Sequence, residues 1–274
     1  YKILLGIYKK TNDLPKLDEV TLEALEYFKP TGTWYTVNAK NDEAVEAANA
    51  LCEEHVLFLA NHYHREAQRL GKADLYKRAS DKYALYLTRF KDSKNAYIVN
   101  FYYAEILYDQ LKDFQAAAVQ YQAVIDRDKK GDYVEEAALG VIYCYEELMV
   151  AAGLQERSKK GSGIEVVKVD PKKLDAPIPE TPLKDLEVEY VKASDLYVSL
   201  LTDLIKDPEV RKKKPERGEK IPEIMYISAQ VYYRHGKFQE AVTRLKVLFE
   251  YDPSTKFAAY AVFTLLDCYQ RSEE

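Results

Sequence analysis

His62 and Glu66 stand four residues apart in a stretch of helical periodicity, a spacing that puts both on one face and could supply half of a metal site. No further ligand accompanies them, and His64 is turned from His62 by about 200° to a different face. The pair therefore reads as a surface contact. The neighbouring carboxylates Glu135-Glu136 and Glu146-Glu147 sit side by side in helical stretches and read as solvating charge rather than acid–base machinery. Cys52, Cys144 and Cys268 are widely separated among apolar neighbours, an odd set that suits buried or half-buried thiols better than a disulfide framework or a zinc site. Gly161-Ser162-Gly163 lacks the flanking strand and helix that would give it catalytic meaning, and no phosphate loop, dinucleotide fingerprint, nucleophile elbow or zinc-protease motif occurs. The expectation is no catalysis, no cofactor and no bound metal.

The elements that carry these residues are helices. The chain has 274 residues, 47% of them hydrophobic, enough for a substantial core, while ten Gly and ten Pro are too few for a turn-rich β protein. Forty Lys and Arg against 45 Asp and Glu leave a net charge of −5 spread along the length, which argues against a dedicated nucleic-acid binder. No apolar run approaches the roughly 18 residues of a membrane span, and the first ten residues lack the layout of a signal peptide. The chain starts at Tyr1 and stops at Glu274 inside a helical pattern, so it reads as a piece of a longer protein from which a signal or lipid anchor could have been removed. Twenty-four tyrosines against one tryptophan supply aromatic surface with polar tips, suited to packing and recognition alike.

The pattern repeats. Tyr232, Gly236, Phe238, Ala241, Leu245, Leu248 and Pro253 fall at intervals that place two amphipathic helices around a tight turn at residues 235–237. This resembles the tetratricopeptide repeat (TPR), whose spaced aromatic, glycine, aromatic, alanine, large residue and proline are all matched when the unit starts at Pro222. Ala241 would sit where the helices cross closely, so Leu there should overpack by about 1–3 kcal/mol. More degenerate copies keep the spacing: Tyr108, Phe114, Ala117, Tyr121 and Val124, with Lys112 in place of the turn glycine; then Ala67, Leu70, Tyr76, Ala79, Tyr83 and Tyr86. A split copy runs from about Tyr133 to Ala152 and resumes at about Lys184, where Ala193-Ser194-Asp195-Leu196-Tyr197 echoes Ala79-Ser80-Asp81-Lys82-Tyr83. A helix over 257–269 closes the array without a partner.

The resemblance implies an all-α fold, a right-handed superhelical solenoid of antiparallel hairpins. Residues 1–41 form an N-terminal helical hairpin, a degenerate repeat at best, and 42–274 the array of about four repeats. Residues 42–70 are one long helix or two abutting ones, and 31–40 a loop in which Trp34 anchors packing. Two insertions break the array. Residues 153–183 carry several prolines and an alternating run over 164–169 that fits a short strand; residues 207–221 carry Arg211-Lys212-Lys213-Lys214 among six basic and four acidic residues and read as a solvated loop.

In the TPR family the first helix of each repeat lines the concave side, where an extended or helical peptide binds. Carried over position by position, that lining is Val99, Tyr102, Ile106, Asp109 and Gln110; then Tyr133, Glu136, Gly140, Tyr143 and Cys144. Glu223, Tyr226, Gln230, Tyr233 and Arg234 follow, and then Phe257, Tyr260, Thr264, Asp267 and Cys268. With one Arg and no Lys, such a groove suits an apolar or aromatic segment, or a folded partner's surface, rather than an acidic chain end. Groove lining and packing between hairpins both remain open for the tyrosines. The second-helix texture is similar to TPR proteins of bacterial envelope complexes: outer-membrane assembly, Tol–Pal and gliding-motility types. That implies a non-catalytic scaffold in the periplasm or at the outer membrane, with a cytoplasmic setting as the alternative. The competing reading is a regulatory or enzyme-accessory module gated by residues 153–183.

Overall fold

The computed structural model describes residues 1–158, 164–166 and 177–273, and among them every regular element is a helix, with helices packed in sequence-adjacent pairs. Two compact units emerge, Tyr1–Lys112 and Asp113–Glu274. The first holds α1 (Lys2–Thr11), α2 (Leu14–Tyr27), α3 (Thr33–Asn38), α4 (Asp42–Leu70), α5 (Ala73–Arg89) and α6 (Ala96–Glu105), the last continued by a π-helical turn, Ile106–Leu111. The second holds α7 (Phe114–Arg127), α8 (Val134–Ala151), α9 (Asp185–Leu204), α10 (Pro208–Lys213), α11 (Ile221–Arg234), α12 (Phe238–Tyr251) and α13 (Lys256–Glu273). All-α architecture and hairpin pairing are thereby established.

Local signals explain the helix limits. Asn41 accepts the Ala44 N–H at 3.1 Å to start α4, Asp113 does the same for Ala116 at 3.1 Å to start α7, and Gly71 ends α4 in the left-handed conformation. Residues 42–70 are one helix. Lys112, standing where the repeat would have glycine, adopts φ 54°, a conformation that disfavours side chains and is held by its N–H bond to the Leu107 carbonyl. The expected loop over 31–40 instead contains α3, and Trp34 packs edge-on against Phe28 with ring centroids 4.7 Å apart.

Within each hairpin the small residues sit at the crossings. Ala79, Ala117 and Ala241 are fully buried, and Ala193 nearly so. The two echoing segments are equivalent in space: Tyr83 reaches back from α5 to Asn61 of α4 at 2.9 Å, and Tyr197 from α9 to Glu135 of α8 at 3.1 Å. The split copy is thus a real α8–α9 hairpin across residues 153–183.

Residues 207–221 depart from the solvated-loop expectation. Proline at its first position and an Asp207 cap make α10, and the segment fastens to the start of α8. Lys213 and Lys214 bond Asp132 and Glu136, the buried Arg217 donates to the Gly131 and Asp132 carbonyls, and the Gly218 N–H reaches Glu135. Glu135 and Glu136 therefore anchor this segment rather than merely solvating α8.

Gly140 of α8 lies against the Tyr121 ring of α7, so closely that a Cβ would come within 2.7 Å of it. Gly140→Ala gains about 1 kcal/mol of helix propensity but must displace a buried ring, for a net loss of about 1–2 kcal/mol. Urea unfolding should show that loss; an unchanged or raised midpoint would mean the α7–α8 seam is looser than the structure has it.

Candidate functional site

Helix α8 ends at Ala151, and Gly153, at φ 69°, turns the chain back. The chain then folds on itself: the Glu165 N–H donates to the Glu156 carbonyl at 2.9 Å, and Arg157 and Ile164 form an antiparallel bridge. Arg157 ties this arc to α8 through two bonds to the Glu147 carboxylate, 2.6 and 2.5 Å. From there Ile164-Glu165-Val166 crosses from α8 toward α11 and α13. Ile164 is buried and lies beside Glu146. The Glu165 carbonyl accepts from Arg234 at 3.4 Å, and Arg234 also donates to the Gln155 side chain. Val166 packs on the cluster of Tyr226, Ala229, Leu245, Phe257 and Ala261.

A second contact lies at the α11–α12 turn. His235 meets Thr181 Oγ1 through Nδ1 at 2.7 Å and Glu187 through Nε2 at 2.8 Å, the Thr181 N–H donates to the His235 carbonyl, and Ile178 packs beside Tyr233 and Phe238. Gly236 takes φ 64°, and a Cβ on it would fall 2.8 Å from the Ile178 and Pro179 carbonyls. The turn glycine is needed twice, for its backbone conformation and for this approach. The described parts of residues 153–183 thus form a strap over the face shared by α8, α11 and α13.

Of the residues expected to line a groove, Tyr226, Gln230, Tyr233, Arg234, Phe257 and Tyr260 come together beneath or beside the strap. Tyr143 lies half-buried on α8, and Tyr133 sits at that helix's N-cap. Tyr102, Ile106 and Asp109 belong to the first unit. There Ile106 is buried, Asp109 exposed, and Tyr102 stands edge-on to His64 at 5.8 Å. The key tyrosines turn inward. Tyr226 is fully buried and shares a hydrogen bond with Thr264 at 3.2 Å while accepting from Gln230 at 3.0 Å; Tyr233 donates to Asp267 at 2.5 Å. Tyr226 and Phe257 are seam residues as well as strap contacts, while the half-buried Tyr143 and Tyr260 keep part of their rings on the face.

Sequence reasoning missed Glu146, Gln155, Ile164 and Val166. A signal for Glu146 existed: it shares a helical face with Ile142 and Met149, both fully buried, and is itself 4% exposed, so it does not solvate α8. Of the strand expected over 164–169, the described residues 164–166 show one isolated antiparallel bridge, at Ile164, and no strand; 167–169, like Gly161-Ser162-Gly163, lie outside the described residues. Glu66 pairs with Arg69, at 2.6 Å for the shorter contact, and among the described residues no group of three His, Cys, Asp or Glu could hold a metal ion. Burial pushes the Cys52 thiol up to about 11 and, aided by Asp267, the Cys268 thiol up to about 12. No helix among the described residues is long and apolar enough to cross a membrane.

No protein-family model matches the chain, and no curated protein matches it. The site must therefore be read from its own chemistry.

Burial, together with the Glu223 carboxylate and Glu147, pushes the Glu146 carboxyl up to about 7, against the opposing effects of the Tyr190 hydroxyl and the nearby Ile164 amide. Its Oε2 has no hydrogen-bond partner among the described residues. A folded value above the unfolded one, about 4.3, means the fold favours the protonated form. That stability is fully present below about pH 4 and lost as pH rises through about 7. Glu146→Gln, permanently neutral and of the same shape, should flatten this decline, gaining on the order of 2 kcal/mol over wild type at pH near 8. Urea unfolding at acidic and alkaline pH checks it; an equal decline in both proteins would clear Glu146 as its source.

Proposed function

We propose that the chain is a non-catalytic protein-interaction module of TPR-like build, which receives a segment of a partner protein on the face shared by α8, α11 and α13. One observation carries this reading: that face already holds extended polypeptide, gripped through its backbone as well as its side chains. A guanidinium for a carbonyl and an apolar cluster for a β-branched residue are parts a peptide-reading surface needs. The half-buried Tyr143 and Tyr260 add rigid, amphipathic contact area at low entropic cost. The TPR resemblance supports the same use of first-helix faces, and its texture supports a place in a bacterial envelope complex, periplasmic or at the outer membrane.

Photo-crosslinking residues placed at Tyr143 and Tyr260, with exposed Val119 of α7 as the control, test this in source cells. Discrete adducts at the two face positions and none at Val119 are expected. Adducts at Val119 alone would put recognition on another surface.

A further inference from the structure

The strap contact has a feature that a plain connecting loop does not require. Backbone and side chains of one short run are held together: Arg234 donates to the Glu165 carbonyl at 3.4 Å, and Ile164 is buried beside Glu146. Such contacts recognise an extended backbone whatever its side chains, while alternate side chains fill the apolar sites. Residues 164 and 166 share one side of the extended run, and both are β-branched. Ile164 is 4% exposed, and Val166 lies on the Tyr226–Phe257 cluster. Arg234 is largely withdrawn from water, with Tyr190, Glu187, Tyr226 and Glu156 around it, and burial lowers its pKa; a guanidinium so placed needs acceptors. Gln155 and the Glu165 carbonyl supply them from the strap itself. Leaving the site without replacement would strand Arg234 and the apolar cluster together.

We propose that Ile164-Glu165-Val166 is an internal ligand, and that the partner is an extended segment with the same chemistry, two β-branched residues flanking one of any type, which enters by displacing it. The proposal rests on the reading of this face as a peptide site and adds both the partner's pattern and the means of its regulation. The strap is held independently on each side of the contact: to α8 by Arg157–Glu147, and to the α11–α12 turn by Thr181–His235 and Lys237–Glu180. The tethered segment competes at an effective concentration on the order of millimolar, so a free peptide of micromolar-range intrinsic affinity should bind the closed protein at least about tenfold more weakly than the opened one.

The probe is a fluorescein-labelled peptide copying residues 162–169, titrated by anisotropy into the full chain. Three proteins are compared: wild type, Ile164→Asp with Val166→Asp, and that double variant carrying Arg234→Gln as well. The double variant should bind at least about tenfold more tightly than wild type, and Arg234→Gln should erase most of the gain. A peptide with Asp at the positions of Ile164 and Val166 should not bind. The milder pair Ile164→Ala and Val166→Ala should fall between wild type and the Asp variant, which keeps the test decisive if the latter unfolds. Equal binding to wild type and opened variants would overturn the proposal, as would no binding to an opened variant with a wild-type helical spectrum and cooperative melting. Because the peptide is chemically defined, failure here with face-specific crosslinks still present at Tyr143 and Tyr260 would remove the internal-ligand proposal and leave the interaction site standing.

Discussion

A tyrosine buried between helices must find a partner for its hydroxyl, and that constraint organises both units. The ring contributes apolar area to the seam, but an unpaired phenol there would cost about as much as a lost hydrogen bond. In the first unit Tyr83 reaches Asn61 and His64, and Tyr86 reaches Glu53, where Ser93 and Asn95 also converge and hold the α5–α6 connection. In the second, Tyr197 reaches Glu135, Tyr190 reaches Glu146 at a long 3.5 Å, and Tyr226 and Tyr233 bridge α11 to Thr264 and Asp267 of α13. Each pairing fixes one helix against another at a point that apolar contact alone would let slide. One such partner then serves a second purpose: Glu135 also receives the Gly218 N–H.

The strap follows from that arrangement. Glu146 lies on a buried face, where Tyr190 meets it. Arg234, one turn beyond Gln230 at the end of α11, is drawn under the strap by Gln155 and the Glu165 carbonyl. Glu146 and Arg234 lie on different helices and stand against one short run of the strap. The contact therefore depends on how α8 and α11 are set within the second unit, and this setting is where a partner could act.

How much of this the sequence disclosed differs by element. The periodicity of apolar residues, with Ala241 and the paired Ala79 and Ala193 words, led to the hairpins and even to the split one, because helix packing leaves a local signature at fixed spacing. The burial of Tyr226 and Tyr233 was not separable from groove lining, because both uses place a ring on the same side of a first helix; only the positions of Thr264 and Asp267 on α13 decide between them. α3 was hidden because six residues carry too little periodicity to distinguish from a loop. The strap's docking was invisible for a different reason. Its bonds join residues such as Gln155, Glu165 and Thr181 to helices tens of positions away, and backbone carbonyls carry no letter in a sequence. Arg211 to Lys214 showed a basic run but not the carboxylates of α8 that receive it, since that pairing spans about eighty residues.

The most direct measurement of the central claim, that the chain's own segment is seated on the α8–α11–α13 face, is amide hydrogen exchange on the wild-type protein over residues 154–166. Seated as the structure has it, the Glu165 amide is hydrogen-bonded to the Glu156 carbonyl and should exchange at least about a hundredfold more slowly than in the free peptide. Exchange of this amide at the free-peptide rate, with α8 and α11 still protected, would contradict a strap bound on that face.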